Sequence, residues 1–415
     1  MDKKFDGARL RFARLFRGKT LTELAEDTQI SKQLISQYEN DESKPSYEKL
    51  VIIAEKLDFP NDYFMQTDRY QPKAEVTYFR SLMSAGKMDR ASQSYKLMVV
   101  GELYMALHEY IDFPDLNKPA VSFSGVDSDT DEEIHARANA EIEEIAAKTR
   151  EYWGLDDGPI DDMQFILERN GIIVTGYDTN TDEIDAFTQR TLVGGENLYI
   201  IAVDQGRKPE GRIRFDLAHE LGHILIHPWS ESIDELSREE FKMREDQANR
   251  FASAFLLPQE TFSQDVRPYV TDLQYYVHLK QKWNVSIKAM LYRAHTLQLL
   301  TTNQFQYLMR QYSKRGWRKG EPGDEQPYLL NENVFQGAID VLYEANIFNP
   351  VTMWRFFARR GIALHPHEIE TLLNLRPGTL QVKDERPKHT FQVLKGSDFA
   401  DGASPDKEPT EPGEG

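Results

Sequence analysis

The chain of 415 residues contains no cysteine. This absence excludes disulfides and cysteine-based zinc sites, so any metal must be bound by His, Asp or Glu. No apolar run approaches the roughly 18 residues that span a bilayer, and the basic start, MDKKFDGARLRFARLF, lacks the apolar core of a signal peptide. We therefore predict a cytoplasmic protein with no membrane partner.

An overall positive charge is also lacking, since the formal net charge at pH 7 is −18. Such a charge argues against non-specific binding to nucleic acid. The distribution is uneven, however, because residues 1–19 carry a local charge of +5 and residues 121–162 one of −10. A basic first segment precedes an acidic body, so the total charge does not decide what the first segment binds.

The length predicts several domains. Helical periodicity dominates the first segment, whereas the runs GIIVTGY, AFTQRTLV and NLYIIAVD indicate strands further along, with helices on either side. We predict an all-α helix-turn-helix domain, an α+β zincin-like domain and a mainly helical C-terminal region. The expected segments are 1–66 (helix-turn-helix), 67–130 (helical connector), 131–300 (α+β domain), 301–395 (helical region of unknown role) and 396–415 (disordered acidic tail).

A helix-turn-helix pattern lies in the stretch TLTELAEDTQISKQLISQYENDESKP. Ala25 falls in one helix, residues 28–30 form a tight connection, and Ser31 caps a second helix. The polar face of that helix has the spacing with which such helices reach base edges in the major groove. We expect base contacts from Lys32, Gln33, Ser36 and Gln37, and phosphate contacts from Arg17, Lys19 and Lys44. The alternative is a protein-interaction module whose polar face is solvated.

Residues 8–65 resemble the Cro/C1 (XRE) family of helix-turn-helix domains. The resemblance is carried by R-L-x-x-A-R, L-T-E-L-A, I-S, L-I-S-x-Y-E-N and P-S, in that order. It implies a domain that binds palindromic operator DNA as a dimer, with Arg14 and Glu39 as a buried ion pair. Operator DNA is therefore an expected partner, and a homodimer is the expected assembly.

The segment IRFDLAHELGHILIHP contains the motif H-E-x-x-H. On a helix, His219 and His223 project about 40° apart and one turn displaced, so both can meet one metal ion. Glu220 lies on the same arc, where it can act as a general base on a water activated by zinc. The alternative is a histidine pair on a solvated helix face. A helical wheel places the polar residues in one sector, namely Asp216, His219, Glu220, His223 and His227.

A catalytic zinc site needs a third protein ligand. His227 continues the i+4 spacing but lies another turn away, so we interpret it as an outer contact of the site or as the helix end. Glu245 interrupts the apolar face of the next helix, where a buried carboxylate needs a partner. We therefore predict one Zn²⁺ per chain, bound by His219, His223 and Glu245, with Asp216, His227 and Asn249 as outer contacts.

Residues 135 to about 300 resemble the ImmA/IrrE metallopeptidase family. The matching motifs are W-G-L and G-P-I, then R-F-D-L-A-H-E-L-G-H-I-L-I-H, then E-D-Q-A-N-R-F-A-S-A-F-L-L-P. The resemblance implies the same zinc ligands, with Glu220 as the base. It also implies a bacterial or phage regulator, because relatives cleave a Cro/C1-type repressor or act as antitoxins. Asp216 and Gln247 depart from the usual pattern, and we expect neither to affect a required role.

These features predict a DNA-binding transcriptional regulator that carries a zinc endopeptidase. Its substrate would be a Cro/C1-type repressor, the chain itself or a partner, and the strand at 198–203 would be either an exposed edge that binds an extended peptide or a buried strand. A second hypothesis is a non-proteolytic regulator or antitoxin, bound to a cognate toxin, with a structural or sensory zinc centre. A third is a free-standing peptidase that uses residues 1–66 for protein docking.

Overall fold

The computed structural model describes residues 4–65, 74–79, 87–124, 132–177, 186–193, 196–204, 208–229, 236–325 and 328–381. A helical N-terminal domain is followed by a mixed α+β domain and a helical C-terminal region, which confirms the predicted fold class. The acidic tail predicted at 396–415 lies outside the described residues. None of the described helices is both long and apolar enough to cross a membrane.

The N-terminal domain contains four α-helices and a final 3-10 turn: α1 (Gly7–Phe16), α2 (Leu21–Thr28), α3 (Lys32–Glu39), α4 (Tyr47–Leu57) and the turn Asn61–Met65. Thr20 and Glu23 form a capping box that begins α2, and the Ser31 hydroxyl accepts a hydrogen bond from the Leu34 amide to begin α3. Between them Gln29 adopts a left-handed conformation with φ of 56°. The predicted helix-turn-helix is therefore confirmed.

A four-stranded sheet lies in the middle of the fold. Its strands are β1 (Ala74–Phe79), β2 (Ile172–Tyr177), β3 (Ala186–Val193) and β4 (Glu196–Asp204), in the order β1-β3-β4-β2. β4 is antiparallel to β3 and parallel to β2. The strand predicted at 198–203 is therefore central and buried, not an exposed edge. The strand β1 falls in a stretch that the sequence predicted only as part of a helical connector.

In the described part of the chain, twelve further α-helices surround the sheet. They are α5 (Lys87–His108), α6 (Glu132–Tyr152), α7 (Met163–Arg169), α8 (Glu210–Ile226), α9 (Arg238–Leu256), α10 (Gln259–Val266), α11 (Leu273–Trp283), α12 (Ile287–Thr296), α13 (Thr302–Lys314), α14 (Val334–Glu344), α15 (Pro350–Arg359) and α16 (Pro366–Leu372).

Two hydrophobic clusters fill the interior, one on each face of the sheet. Phe187, Ile200 and Ala202 face the first cluster, which also contains side chains of α1–α5 and α14–α16. Alternate residues, such as Val174 and Ile201, face the second cluster, which α6–α13 complete. The C-terminal region after residue 300 therefore divides between the two clusters, since α13 packs in the second and α14–α16 pack with the helix-turn-helix domain.

The helix-turn-helix domain is anchored through α1. The Arg9 guanidinium, which is buried, donates to the Gly361 carbonyl at 2.9 Å. The Ser92 hydroxyl of α5 donates to the Phe16 carbonyl at 2.6 Å, and the rings of Phe12 and Tyr95 lie 5.0 Å apart. These contacts hold the domain against α5 and the segment before α16.

A buried ion pair links α1 to α3. Arg14 Nε and Nη2 donate to Glu39 Oε1 and Oε2 at 2.6 and 2.8 Å, and both side chains are less than a tenth exposed. A bidentate pair of this kind fixes the position of α3 relative to α1.

Glu39→Gln leaves the Arg14 charge buried without its carboxylate partner. Because breaking a buried pair costs about 3–5 kcal/mol, we expect a clear fall in the urea midpoint followed by circular dichroism. The control is Glu42→Gln, which removes the same charge from an exposed position. Equal midpoints for the two variants would contradict the role assigned to the pair.

Candidate metal centre and DNA-reading face

Helix α8 is buried on nearly every side. It packs against β3, β4 and α9, so the sector that holds its polar residues is enclosed: His219, Glu220 and His223 are 0%, 1% and 3% exposed. The two histidines therefore do not lie on a solvated helix face. Buried imidazoles and carboxylates need polar partners, and those partners come from α9 and β3.

The close approach of α9 depends on Gly222. A Cβ atom at this position would lie 3.1 Å from Phe251 Cδ1 and 3.3 Å from Ala248 Cα. A methyl group at this position would therefore be tighter than ordinary contact, and Phe251 or the backbone of α9 would have to shift by a few tenths of an ångström. The missing side chain thus allows α9 to bring Glu245, which lies one turn before Ala248, up to the histidine pair.

Three potential ligands converge at this point. His219 Nε2 and His223 Nε2 lie 3.0 Å apart, and the Glu245 carboxylate lies 3.5 Å from the first and 3.2 Å from the second. Tetrahedral ligands at about 2.0–2.1 Å from a zinc ion lie roughly 3.3–3.4 Å from one another. The spacing and the donor types, two imidazoles and a carboxylate, therefore fit a zinc ion.

Hydrogen bonds on the far side of the imidazoles assign their tautomers. His219 Nδ1 lies 3.1 Å from Asn249 Oδ1, which can only accept, so Nδ1 carries the proton and Nε2 presents a lone pair. His227 Nε2 donates to Gln247 Oε1 at 3.0 Å, so His227 Nδ1 accepts from His223 Nδ1 at 2.9 Å. Both Nε2 atoms therefore point their lone pairs at the same place, as metal ligands must.

The pKa values of the surrounding groups favour the same charge states. Burial alone would raise the pKa of Glu245, but when His219 and His223 are protonated their Nε2–H groups donate to the carboxylate, which outweighs burial and holds that pKa well below its usual value. Burial, with the charge of a protonated His223 as a further cause, lowers the pKa of His227 well below its usual value. An ionised Glu245 and a neutral His227 are the forms that a cation at this site requires.

Glu220 is held from the sheet. The Thr188 hydroxyl of β3 donates to Glu220 Oε2 at 2.7 Å, and both residues are buried. This bond fixes the orientation of the Glu220 carboxylate. In sequence, Glu220 lies between the two histidines. The outer contact predicted at Asp216 forms an ion pair with Lys208 at 3.4 Å, one turn before His219.

The sequence interpretation missed Thr188 and the role of Gln247. Thr188 is 32 residues from Glu220, and a buried threonine on a strand carries no local sign of its partner. Gln247 was expected to affect no required role, yet it orients His227 and through it His223. A signal existed in this case, because a glutamine on the same inward side as Ala248 also needs a polar partner.

The predicted base-reading residues all lie on α3, and Lys44 follows this helix in sequence. Lys32, Gln33, Gln37 and Lys44 are exposed, and Ser36 is half-buried. Lys19 is partly exposed and forms an ion pair with Asp27.

Arg17, expected at the DNA backbone, points inward instead. Its guanidinium donates to the carbonyls of Leu57 and Asp58 at 2.7 and 2.9 Å and lies 2.8 Å from the Glu368 carboxylate of α16. We therefore leave Arg17 out of the proposed DNA interface. Asp58, His367 and Glu368 also form a possible ligand group. Both carboxylates of this group, however, already form ion pairs with Arg17.

Comparison with known proteins indicates a metallopeptidase-like fold for the domain that contains the buried H-E-x-x-H helix. Residues 7–69 match the family model of a helix-turn-helix domain, and residues 167–295 match that of the IrrE N-terminal-like domain of the M78 peptidases. The chain thus carries a helix-turn-helix DNA-binding domain fused to an IrrE-like domain.

One similar solved structure is a Mycobacterium tuberculosis transcriptional regulator, with 22% identity and a TM-score of 0.28. The match covers 40% of this chain and 51% of that one, so it spans about half the length of the regulator. No curated protein matches the sequence.

Elemental mass spectrometry on the purified chain should find about one zinc per molecule. Glu245→Ala should lose most of that zinc, because two imidazoles alone leave the site a ligand short. Asp246→Ala, which removes the neighbouring exposed carboxylate, should retain it. Equal zinc contents in the two variants would exclude Glu245 as a ligand.

Proposed function

We propose that the protein is a DNA-binding regulator that carries a zinc-dependent endopeptidase. The observation that supports the peptidase best is the convergence of His219, His223 and Glu245, together with a Glu220 carboxylate on the same helix that Thr188 holds in place. A structural zinc site closes the coordination sphere with four protein ligands. Three ligands with an adjacent base instead fit a site that keeps a position for water.

Different residues of the site have different roles in the proposed hydrolysis of a peptide bond. A bound Zn²⁺ would polarise a substrate carbonyl and lower the pKa of a water molecule towards neutrality. Glu220 then accepts the proton of that water and passes it to the departing amine. Thr188 keeps the Glu220 carboxylate aimed, while Asn249 and the pair His227 and Gln247 keep both ligand imidazoles in the tautomer that binds the metal.

The DNA-binding half of the proposal rests on which surfaces of the helix-turn-helix domain are covered. Arg9 and Phe12 of α1 contact other parts of the chain and the Phe16 carbonyl accepts from Ser92, whereas Gln33 and Gln37 on α3 are exposed. A domain that contacts the rest of the chain through α1 and leaves α3 exposed is arranged to read a major groove. Operator DNA is thus the proposed partner, the assembly on it a homodimer, and a Cro/C1-type repressor, the chain itself or another protein the proposed substrate.

Glu220→Gln should abolish proteolysis and leave zinc content unchanged, because it removes the base but no ligand. New protein N-termini in cells that express the unsubstituted chain should be absent from cells that express the variant. The zinc content of the same preparations serves as the control. An identical set of N-termini in both cells would leave a regulator or antitoxin with a structural or sensory metal centre.

Gln33→Ala/Gln37→Ala should remove sequence selectivity while retaining salt-dependent binding. Each bidentate glutamine to adenine contact contributes about 1–3 kcal/mol of discrimination, whereas the phosphate contacts remain. The unsubstituted chain should enrich a motif from a pool of random duplex DNA, and the variant should not. Gln259→Ala, an exposed glutamine in the other domain, is the matched control. A chain that binds no duplex at low salt would instead fit a free-standing peptidase.

A further inference from the structure

The edge of the sheet nearest the candidate site is filled by a strand from far away in the chain. β1 runs antiparallel to β3 and pairs Phe79 with Phe187 and Tyr78 with Thr188. It belongs to the stretch between the helix-turn-helix domain and α5. The outermost strand on this side of the sheet is therefore supplied by the segment that leads from the DNA-binding domain to the rest of the chain.

β3 is the strand that reaches the candidate base. Its Thr188 hydroxyl donates to Glu220 Oε2, and the backbone partner of Thr188 on the outer side is Tyr78. On its other side β3 is already paired with β4, where Thr188 lies opposite Ile201. The outer edge of β3 is thus the place where an extended backbone runs alongside the residue that holds Glu220.

An open strand edge presents unpaired amide and carbonyl groups to which an extended peptide can add. The pairing with β1 is the weaker of the two that β3 makes. It is interrupted by a register shift between Ala74 and Val76, whereas β3 and β4 pair without a break from Ala186 to Val193. A short strand with a bulge makes fewer ladder hydrogen bonds. Of the two neighbours of β3, β1 is therefore the one that another strand can replace.

We propose that the outer edge of β3 is the peptide-docking surface of the site and that Ala74–Phe79 is its resident occupant. The substrate class is then an extended, strand-forming segment, which must displace β1 before it lies along β3. A tethered strand competes at an effective concentration in the millimolar range, so it blocks weak peptides and yields to stronger ones. That the docked segment is a substrate rests on the proposed peptidase function, whereas the docking surface itself does not.

The test uses the full chain with Glu220→Gln, so that nothing is cut, and a fluorescein-labelled peptide of residues 73–80, KAEVTYFR. Val76→Pro/Thr77→Pro removes two consecutive amide donors, one of which must face β3 because alternate residues of a strand point to opposite sides. Fluorescence anisotropy should show the peptide binding this variant at least tenfold more tightly than the parent. Val76→Ala/Thr77→Ala, which keeps both amides, should bind within about threefold of the parent. Equal affinity in all three chains would overturn the proposal.

A second measurement does not depend on how the proline variant folds. In the chain without substitutions in β1, an excess of unlabelled peptide should speed amide hydrogen exchange across residues 74–79 at least tenfold, because it displaces them from β3. Unchanged exchange at saturating peptide would also overturn the proposal.

Restoring Glu220 in the proline variant separates this inference from the proposed function. Hydrolysis of the bound peptide that is lost again with Glu220→Gln supports both. A peptide that binds tightly and stays intact supports the docking surface and counts against the peptidase.

Discussion

The close contact between α8 and α9 at Gly222 is the constraint on which the rest of the site depends. Because no side chain separates the helices there, α9 lies against the buried polar sector of α8. Glu245 and Asn249 can then meet His219 in the same interior space, and Gln247 can meet His227. A wider separation would leave buried imidazoles without partners, which is costly in a dry interior.

Most of the ligand set was predictable from the sequence because the signals are local. Histidines four residues apart share a helix face, and Glu245 lies on an apolar face that cannot hold a lone carboxylate. The same reasoning located the helix-turn-helix, since the caps at Thr20 and Ser31 are set by neighbouring residues.

The remaining features depend on contacts distant in sequence. Arg17 turns inward because α16 places Glu368 beside it. No sequence pattern near residue 17 indicates this contact. Thr188 meets Glu220 only because β3 packs on α8. β1 contains the strand-favouring run VTYF, a local signal that the prediction of a helical connector overlooked, but its pairing with β3 depends on a contact distant in sequence.

The way the helix-turn-helix domain is anchored bears on what proteolysis would achieve. A cut within 74–79 would break the covalent link between this domain and α5, but Arg9 would still bond the Gly361 carbonyl, and Ser92 the Phe16 carbonyl. Phe12, Phe16 and the side chains of α14–α16 share one hydrophobic cluster, so the severed domain would remain docked. Self-cleavage at β1 would therefore vacate the edge of β3 without releasing the DNA-binding domain. On the proposed mechanism, a cut in the resident strand would open the site to other extended segments, whereas release of the helix-turn-helix domain would require the α1 interface itself to be broken.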